Sequence, residues 1–186
     1  MTHCSRSDVG RTALKTRTLV LGGIRSGKTA LAERLAGAEG SGVVYVATAT
    51  AGDAEMAARI RRHQGLRPAG WGLQEEPLQL AGVLAVEGGK EGPPCLLIDC
   101  MSLWLSNLLH AGDDVLTAQK SAFLDAVAGY TGALVIVSNE VGLGTIGMDP
   151  LTRRFCDELG WLNQALAQRC DRVLMSVAGL PLTLKD

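Results

Sequence analysis

A mainly parallel α/β sheet with helices on both faces is the fold class this sequence predicts, and three observations predict it. From Thr18 onward, short Val-, Leu- and Ile-rich runs alternate with helical patterns, which is how βα units read. The runs are apolar almost throughout rather than alternating with polar residues, as expected of strands covered on both sides. The first run also empties directly into the Gly-rich segment Gly22, Gly23, Ile24, Arg25, Ser26, Gly27, Lys28, Thr29 and then into a helical stretch, the strand, loop and helix context of a phosphate-binding loop.

The elements follow in order. Residues 1–17 are polar, rich in basic side chains and without apolar periodicity, so they are expected to form a mobile extension ahead of a single catalytic domain over 18–186. Parallel strands are expected at 18–21, 43–47, 95–98, 134–137 and 173–177. Helices are expected at 28–38, 55–63, 77–86 (with Pro77 in its first turn), 101–110 and 116–130. The clearest helix begins after Pro150 and carries Leu151, Phe155, Leu159, Leu162 and Leu166 on one stripe. Gly179 and Pro181 then turn the chain too tightly for a helical crossover, so 182–185 is expected as an antiparallel edge strand. The segment 88–94 reads as a connector within the domain.

Composition narrows the function. At 186 residues the chain has the size of one domain, able to bury about 70% of its unfolded surface. A net charge of −1 gives no global attraction to nucleic acid or to an anionic membrane surface. No apolar run approaches the roughly 20 residues that cross a bilayer, and the expectation is a cytoplasmic protein. Five cysteines without a C-x-x-C pair read as reduced core fillers rather than a disulfide or zinc framework.

The chemistry sits in three places. In the G-x-x-x-x-G-K-T loop, backbone N–H groups point into one concavity at a helix N-terminus. Lys28 reaches the β- and γ-phosphates of a nucleotide, and Thr29 offers a hydroxyl to Mg²⁺. Asp99 ends the run 95–98, at the carboxyl end of a buried strand where ligands of open α/β sheets bind. It suits a second Mg²⁺-holding oxygen, or a cap for the helix that starts at Met101. His63 lies among Arg59, Arg61, Arg62 and Arg67, four arginines in nine residues. That density suits several phosphate groups, and a neutral imidazole among them could attack phosphorus; an exposed helix end with a surface histidine fits the same spacing. The segment 135–147, with Asn139 and Glu140 at its tip, reads as a strand running into a loop that faces substrate or another subunit.

Taken together, GGIRSGKT, VVYVATA, DAEMAARIRRHQGLRPAGW, LLIDCMSLWLSNLL, VSNEVGLG and RRFCDELGWLNQALAQRCDRV closely resemble the bifunctional adenosylcobinamide kinase and adenosylcobinamide-phosphate guanylyltransferase family. The most diagnostic block is Arg59, Ile60, His63, Arg67, Pro68 and Trp71. The resemblance implies a RecA-like P-loop domain, Mg²⁺, ATP and GTP as co-substrates, a corrinoid substrate and a homotrimer. It implies two reactions: phosphorylation of adenosylcobinamide, then transfer of GMP from GTP through a guanylyl-histidine. By motif position, His63 looks like that histidine. Ala47, Thr48 and Ala49 would line the nucleotide site, and Gln64, Gly65, Leu66 and Arg67 with Glu75 would complete the guanylate pocket. Thr145 to Met148 departs from the family pattern. Two other functions are weighed against this one: a simple P-loop small-molecule kinase, and a non-catalytic nucleotide-dependent binding module. The N-K-x-D guanine-reading sequence that a switch protein would carry is absent.

Overall fold

The computed structural model describes residues 16–40, 42–50, 68, 70–144 and 147–186. The helix expected at 55–63, the Arg/His cluster, and residues 145–146 of the departing loop lie outside them.

The described chain runs β1 (Arg17–Gly22), α1 (Lys28–Ala38), β2 (Val43–Ala47), β3 (Gly72–Glu75), α2 (Leu80–Gly88), β4 (Cys95–Asp99), α3 (Met101–Ala111), α4 (Asp113–Gly129), β5 (Leu134–Asn139), α5 (Pro150–Arg169), β6 (Arg172–Val177) and β7 (Leu180–Lys185). The strands form a seven-stranded sheet in the order β3-β2-β4-β5-β1-β6-β7. All pairings are parallel except β6 with β7, which is antiparallel. The tail therefore pairs as an edge strand, as the tight turn at Gly179 required.

Side-chain alternation along each strand divides the core in two. On one face, Leu96, Ile98, Leu19, Leu134 and Ile136 pack with Leu80, Trp104, Leu108, Phe123 and Leu159 from α2 to α5. On the other, Cys95, Leu97, Val20, Tyr45, Val135 and Val137 pack with Leu31, Ala32 and Ala36 of α1. Trp104 meets Phe123 with ring centroids 5.0 Å apart and tilted by 59°, and its indole N–H donates to the Leu78 carbonyl at 2.9 Å. Trp104 and Leu108 thus belong to the core, whereas Trp161 on α5 is 59% exposed. Cys95, Cys100 and Cys170 are buried cysteines, and burial pushes the Cys170 thiol up to about 12.

Three expectations change. β3 was not foreseen: Gly-Leu-Gln-Glu has no apolar run, and as an edge strand pairing only with β2 it needs none. Pro77 precedes α2 instead of opening it, because the Glu76 carboxylate accepts from the N–H groups of Leu78 and Gln79, at 2.9 and 2.7 Å, and holds that stretch as a turn. α4 starts at Asp113, three residues before Leu116, since Asp113 and Asp114 suit the positive end of a helix. At α5 the start is as the proline suggested: Pro150 occupies the first turn, and the Asp149 carboxylate accepts from Thr152 N at 2.8 Å.

Candidate active site

The site assembles at the carboxyl edge of the sheet, beginning where β1 ends. Gly22 is forced there by space. A Cβ would lie 2.4 Å from Ser26 Oγ and 2.8 Å from the Ser176 carbonyl. Arg25 at φ 55° and Gly27 at φ 90° curl the chain, and Gly27 becomes the N-cap residue of α1 without any side-chain cap. No acidic residue occupies the first turn of α1, so its N–H groups and dipole face the loop without an internal anion. Lys28 Nζ folds back over the loop and donates to the Gly23 carbonyl at 3.0 Å. Ile24 at the crest is 84% exposed.

Alternation also decides where Asp99 points. Cys95 and Leu97 face α1, so Asp99, two residues further on, is on the same side. Its Oδ2 accepts from Thr29 Oγ1 at 3.2 Å and from Tyr45 Oη at 2.9 Å. The expected cap of α3 is not made: Cys100 is the N-cap residue and no side chain caps the helix. Two oxygens singled out in sequence, 70 positions apart, therefore meet. Tyr45 was not singled out, because in VVYVA it reads as one more core residue.

The other expected residues occupy different parts of this edge. Ala47 lies between Glu75 and Asp99 in register, so Glu75 sits two strands, roughly 10 Å, from Asp99. Ala49 is half-buried. Thr48 is fully buried; its Oγ1 donates to the Cys100 carbonyl and accepts from Cys100 N, both at 2.8 Å, so its side chain braces the turn after β4. His63, Gln64, Gly65, Leu66 and Arg67 lie outside the described residues. Cys100 beside Asp99 is buried: burial first, then the Asp99 charge, raises its thiol, and Sγ contacts Ser102 Oγ at 3.0 Å.

Beyond β4, Asn139 ends β5 in register with Gly22. Its Nδ2 donates to Ser102 Oγ at 2.7 Å, and its carbonyl accepts from Asn163 Nδ2 at 3.0 Å. Asn163 Oδ1 accepts in turn from Ser138 Oγ at 2.6 Å. Neither Ser138 nor Asn163 carried a sequence signal, since a single Asn on an amphipathic helix reads as solvent-facing. Glu140 N donates to the Gly22 carbonyl at 3.1 Å, tying this segment to the phosphate loop.

A Gly-rich loop at a helix N-terminus, with a hydroxyl and a carboxylate converging behind it on a parallel sheet, defines a P-loop nucleotide-binding domain of the RecA-like type. In fold it is similar to the type III secretion ATPase EscN of enteropathogenic E. coli, with a TM-score of 0.53 at 12% identity over 89% of this chain and 43% of that one. It is also similar to a Pyrococcus horikoshii structure, PH0250, with a TM-score of 0.50 at 12% identity over 92% and 86%. Sequence is more specific than fold. The model of the cobinamide kinase / cobinamide phosphate guanyltransferase family matches residues 18–184, and the chain belongs to that family of enzymes. It is 51% identical to the bifunctional adenosylcobalamin biosynthesis protein CobP of Pseudomonas aeruginosa, over 91% of this chain and 97% of that protein. It is 34% identical to CobU of Salmonella typhimurium, over 90% and 98%.

Proposed function

We propose that this chain phosphorylates adenosylcobinamide with ATP or GTP, and then transfers GMP from GTP to the resulting phosphate through a guanylyl group on His63, giving adenosylcobinamide-GDP. The observation that carries the reading is the meeting of Thr29 and Asp99 at 3.2 Å behind the phosphate loop, in a chain whose relatives are bifunctional enzymes of adenosylcobalamin biosynthesis. Residues 22–29 cradle the phosphates, and Lys28 exchanges its Gly23 carbonyl for phosphate oxygens. Thr29 and Asp99 are hard oxygen donors of the type Mg²⁺ takes together with phosphate oxygens, and among the described residues no larger His/Cys/Asp/Glu cluster competes for it. When bound, the ion neutralises charge on the transferring phosphoryl group.

In the second reaction a ring nitrogen of His63 bonds to the α-phosphorus and pyrophosphate leaves. An oxygen of the corrinoid phosphate then bonds to that phosphorus and the N–P bond breaks. Two easier displacements replace one hard one, and Arg59, Arg61, Arg62 and Arg67 would stabilise the charge developing on phosphate. Gln64, Gly65, Leu66 and Arg67, with Ala47, Thr48, Ala49 and Glu75, would enclose the guanylate. The same reading makes the protein a cytoplasmic homotrimer built from one catalytic domain per chain, and the exposed Trp161 supports a subunit contact. No helix among the described residues is long and apolar enough to cross a membrane.

The test is incubation with Mg²⁺ and GTP labelled at the α-phosphate, then denaturation and mass mapping. The expected product is acid-labile, base-stable GMP on the peptide containing His63. The His63→Ala variant should lose guanylyl transfer and keep at least part of the corrinoid kinase activity. Full guanylyl transfer in that variant removes His63 from the reaction, and absence of any adduct in the wild type leaves a simple kinase.

A further inference from the structure

A cavity of about 390 Å³ opens between α3 and the first turns of α5. Its lining includes the apolar Leu103, Leu109 and Phe155, and its polar groups are Ser102, Ser106, His110, Asn139 and Thr152. Ser102, Ser106 and Leu109 fall at i, i+4 and i+7 on α3, hence on one face of that helix. Asn139 reaches the cavity from the end of β5. Donation from Asn139 Nδ2 to Ser102 Oγ orients the amide, and among the described residues its buried Oδ1 has no hydrogen-bond partner. A buried acceptor left in that condition is destabilising, and a ligand O–H or N–H would satisfy it.

The position is as informative as the lining. Asn139 is in register with Gly22, where the phosphate loop begins, and Glu140 N is bonded to the Gly22 carbonyl at 3.1 Å. Ser102 follows Asp99 by three residues and contacts Cys100 Sγ. The cavity therefore adjoins both parts of the phosphoryl-transfer site while being separate from the concavity of the loop itself.

We infer that this cavity receives the hydroxyl-bearing arm of the phosphoryl acceptor, with Asn139 Oδ1 accepting a hydrogen bond from its terminal alcohol or adjoining amide. The inference rests on the kinase reading above and adds the acceptor's place to it. Small-molecule pockets run from roughly 300 to 1,000 Å³; a corrin ring with its peripheral amides exceeds the space here, so only an arm enters and the macrocycle stays outside. Leu103, Leu109 and Phe155 match the methylene and methyl groups of an amino-alcohol arm, and the two serine hydroxyls match its amide. In the transfer, the arm's hydroxyl oxygen bonds to the γ-phosphorus. The bond from that phosphorus to the β–γ bridging oxygen breaks, leaving its electron pair on the nucleoside diphosphate. The hydroxyl proton passes to an oxygen of the transferred phosphoryl group. Asn139 takes no proton, because an amide is no base at neutral pH; it aims the oxygen.

The experiment compares the full-length wild type with Ser106→Trp, which fills the cavity from a half-buried position, and with Asn139→Ala. Steady-state kinetics with γ-labelled nucleotide and adenosylcobinamide are combined with equilibrium dialysis of the corrinoid, and thermal melts report folding. Ser106→Trp should raise the corrinoid KM by roughly 30-fold or more while nucleotide KM moves less than about threefold. Asn139→Ala should lower kcat about tenfold, since it disturbs aim more than binding. Unchanged corrinoid KM in folded Ser106→Trp overturns the inference while leaving the kinase reading standing. Should Ser106→Trp melt early, unchanged kcat and corrinoid KM in Asn139→Ala overturn it equally. A wild-type protein that neither phosphorylates nor binds the corrinoid overturns the kinase reading and this inference together.

Discussion

At the scale of single residues, the site turns on one carboxylate oxygen that accepts from Thr29 at 3.2 Å and from Tyr45 at 2.9 Å. Thr29 and Asp99 were each legible, one as the last letter of a phosphate-loop pattern and the other as an acid ending an apolar run. Their contact was not, because it depends on which way the last residue of β4 faces. Tyr45 was illegible for a related reason: its hydroxyl acquires a role only through the register that sets Tyr45 beside Leu97 and Ala47 beside Asp99. Asp99→Asn retains the side chain's shape and an oxygen for Tyr45 but removes the charge opposite the phosphates. Phosphoryl transfer in that variant should fall by roughly 100-fold or more, in line with the loss of one preorganised electrostatic group. Tyr45→Phe removes one neutral donor and should cost less than about tenfold. Initial rates with saturating Mg²⁺ and nucleotide distinguish them, and equal losses would mean that Asp99 acts through packing instead of charge.

At the scale of elements, the phosphate loop is held from behind by the far end of the chain. The Ser26 carbonyl accepts from Ser176 Oγ at 2.7 Å and from Gly179 N at 2.9 Å. Both donors come from β6 and its turn into β7, where Ala178 and Gly179 have φ 52° and 81°. The turn itself was legible from Gly179 and Pro181, and so was the antiparallel tail. Its contact with the loop was not, since it joins residues 150 positions apart and follows from β6 lying beside β1. β3 escaped notice because an exposed edge strand needs no apolar pattern, and α2 was begun too early because Pro77 suits a turn as well as a first helical turn. Ser176→Ala leaves the Gly179 bond in place and removes the other, a net loss of about 1 kcal/mol. If the clasp shapes the phosphate cradle, GTP should bind about fivefold more weakly, with thermal stability falling only slightly. Calorimetric titration reads the affinity. Unchanged binding with a lowered melting temperature would make the clasp a matter of stability alone.

At the scale of the whole molecule, five parallel strands and their apolar character were legible because both sheet faces are covered, which leaves a strong local signature. Strand order was not legible, since it is decided by which helices cover which face. One consequence is that β1, where the described fold begins, lies inside the sheet between β5 and β6. Arg17 fastens this junction. Its Nε and Nη2 meet the two Asp171 carboxylate oxygens at 3.1 and 3.0 Å, its Nη1 donates to the Ala128 carbonyl at 3.1 Å, and Asp171 N donates to the Arg17 carbonyl at 2.9 Å. One side chain thus joins β1, the end of α4 and the passage from α5 to β6. The Arg17 guanidinium holds the Asp171 carboxyl below its ordinary value. A depressed folded-state value means that the charged form favours the folded protein, so the contribution is complete above the ordinary carboxylate value of about 3.9 and disappears as pH falls through the lower, folded value. Both partners are partly exposed, at 27% and 48%, and after allowance for solvent screening the pair contributes about 0.5–1 kcal/mol. Asp171→Asn should therefore melt roughly 1–4 °C lower than the wild type at pH 7. The gap should be smaller at high salt, because screening weakens the wild-type pair and leaves the neutral variant nearly unaffected. It should also narrow as pH falls below the ordinary carboxylate value and through the lower, folded one, as protonation removes from the wild type the charge that the variant lacks at every pH. A gap that stays constant across the whole acid range in which the wild-type carboxylate titrates would locate the loss in the neutral hydrogen bonds to the β1 backbone, with the ion pair contributing nothing to the joining of the two ends.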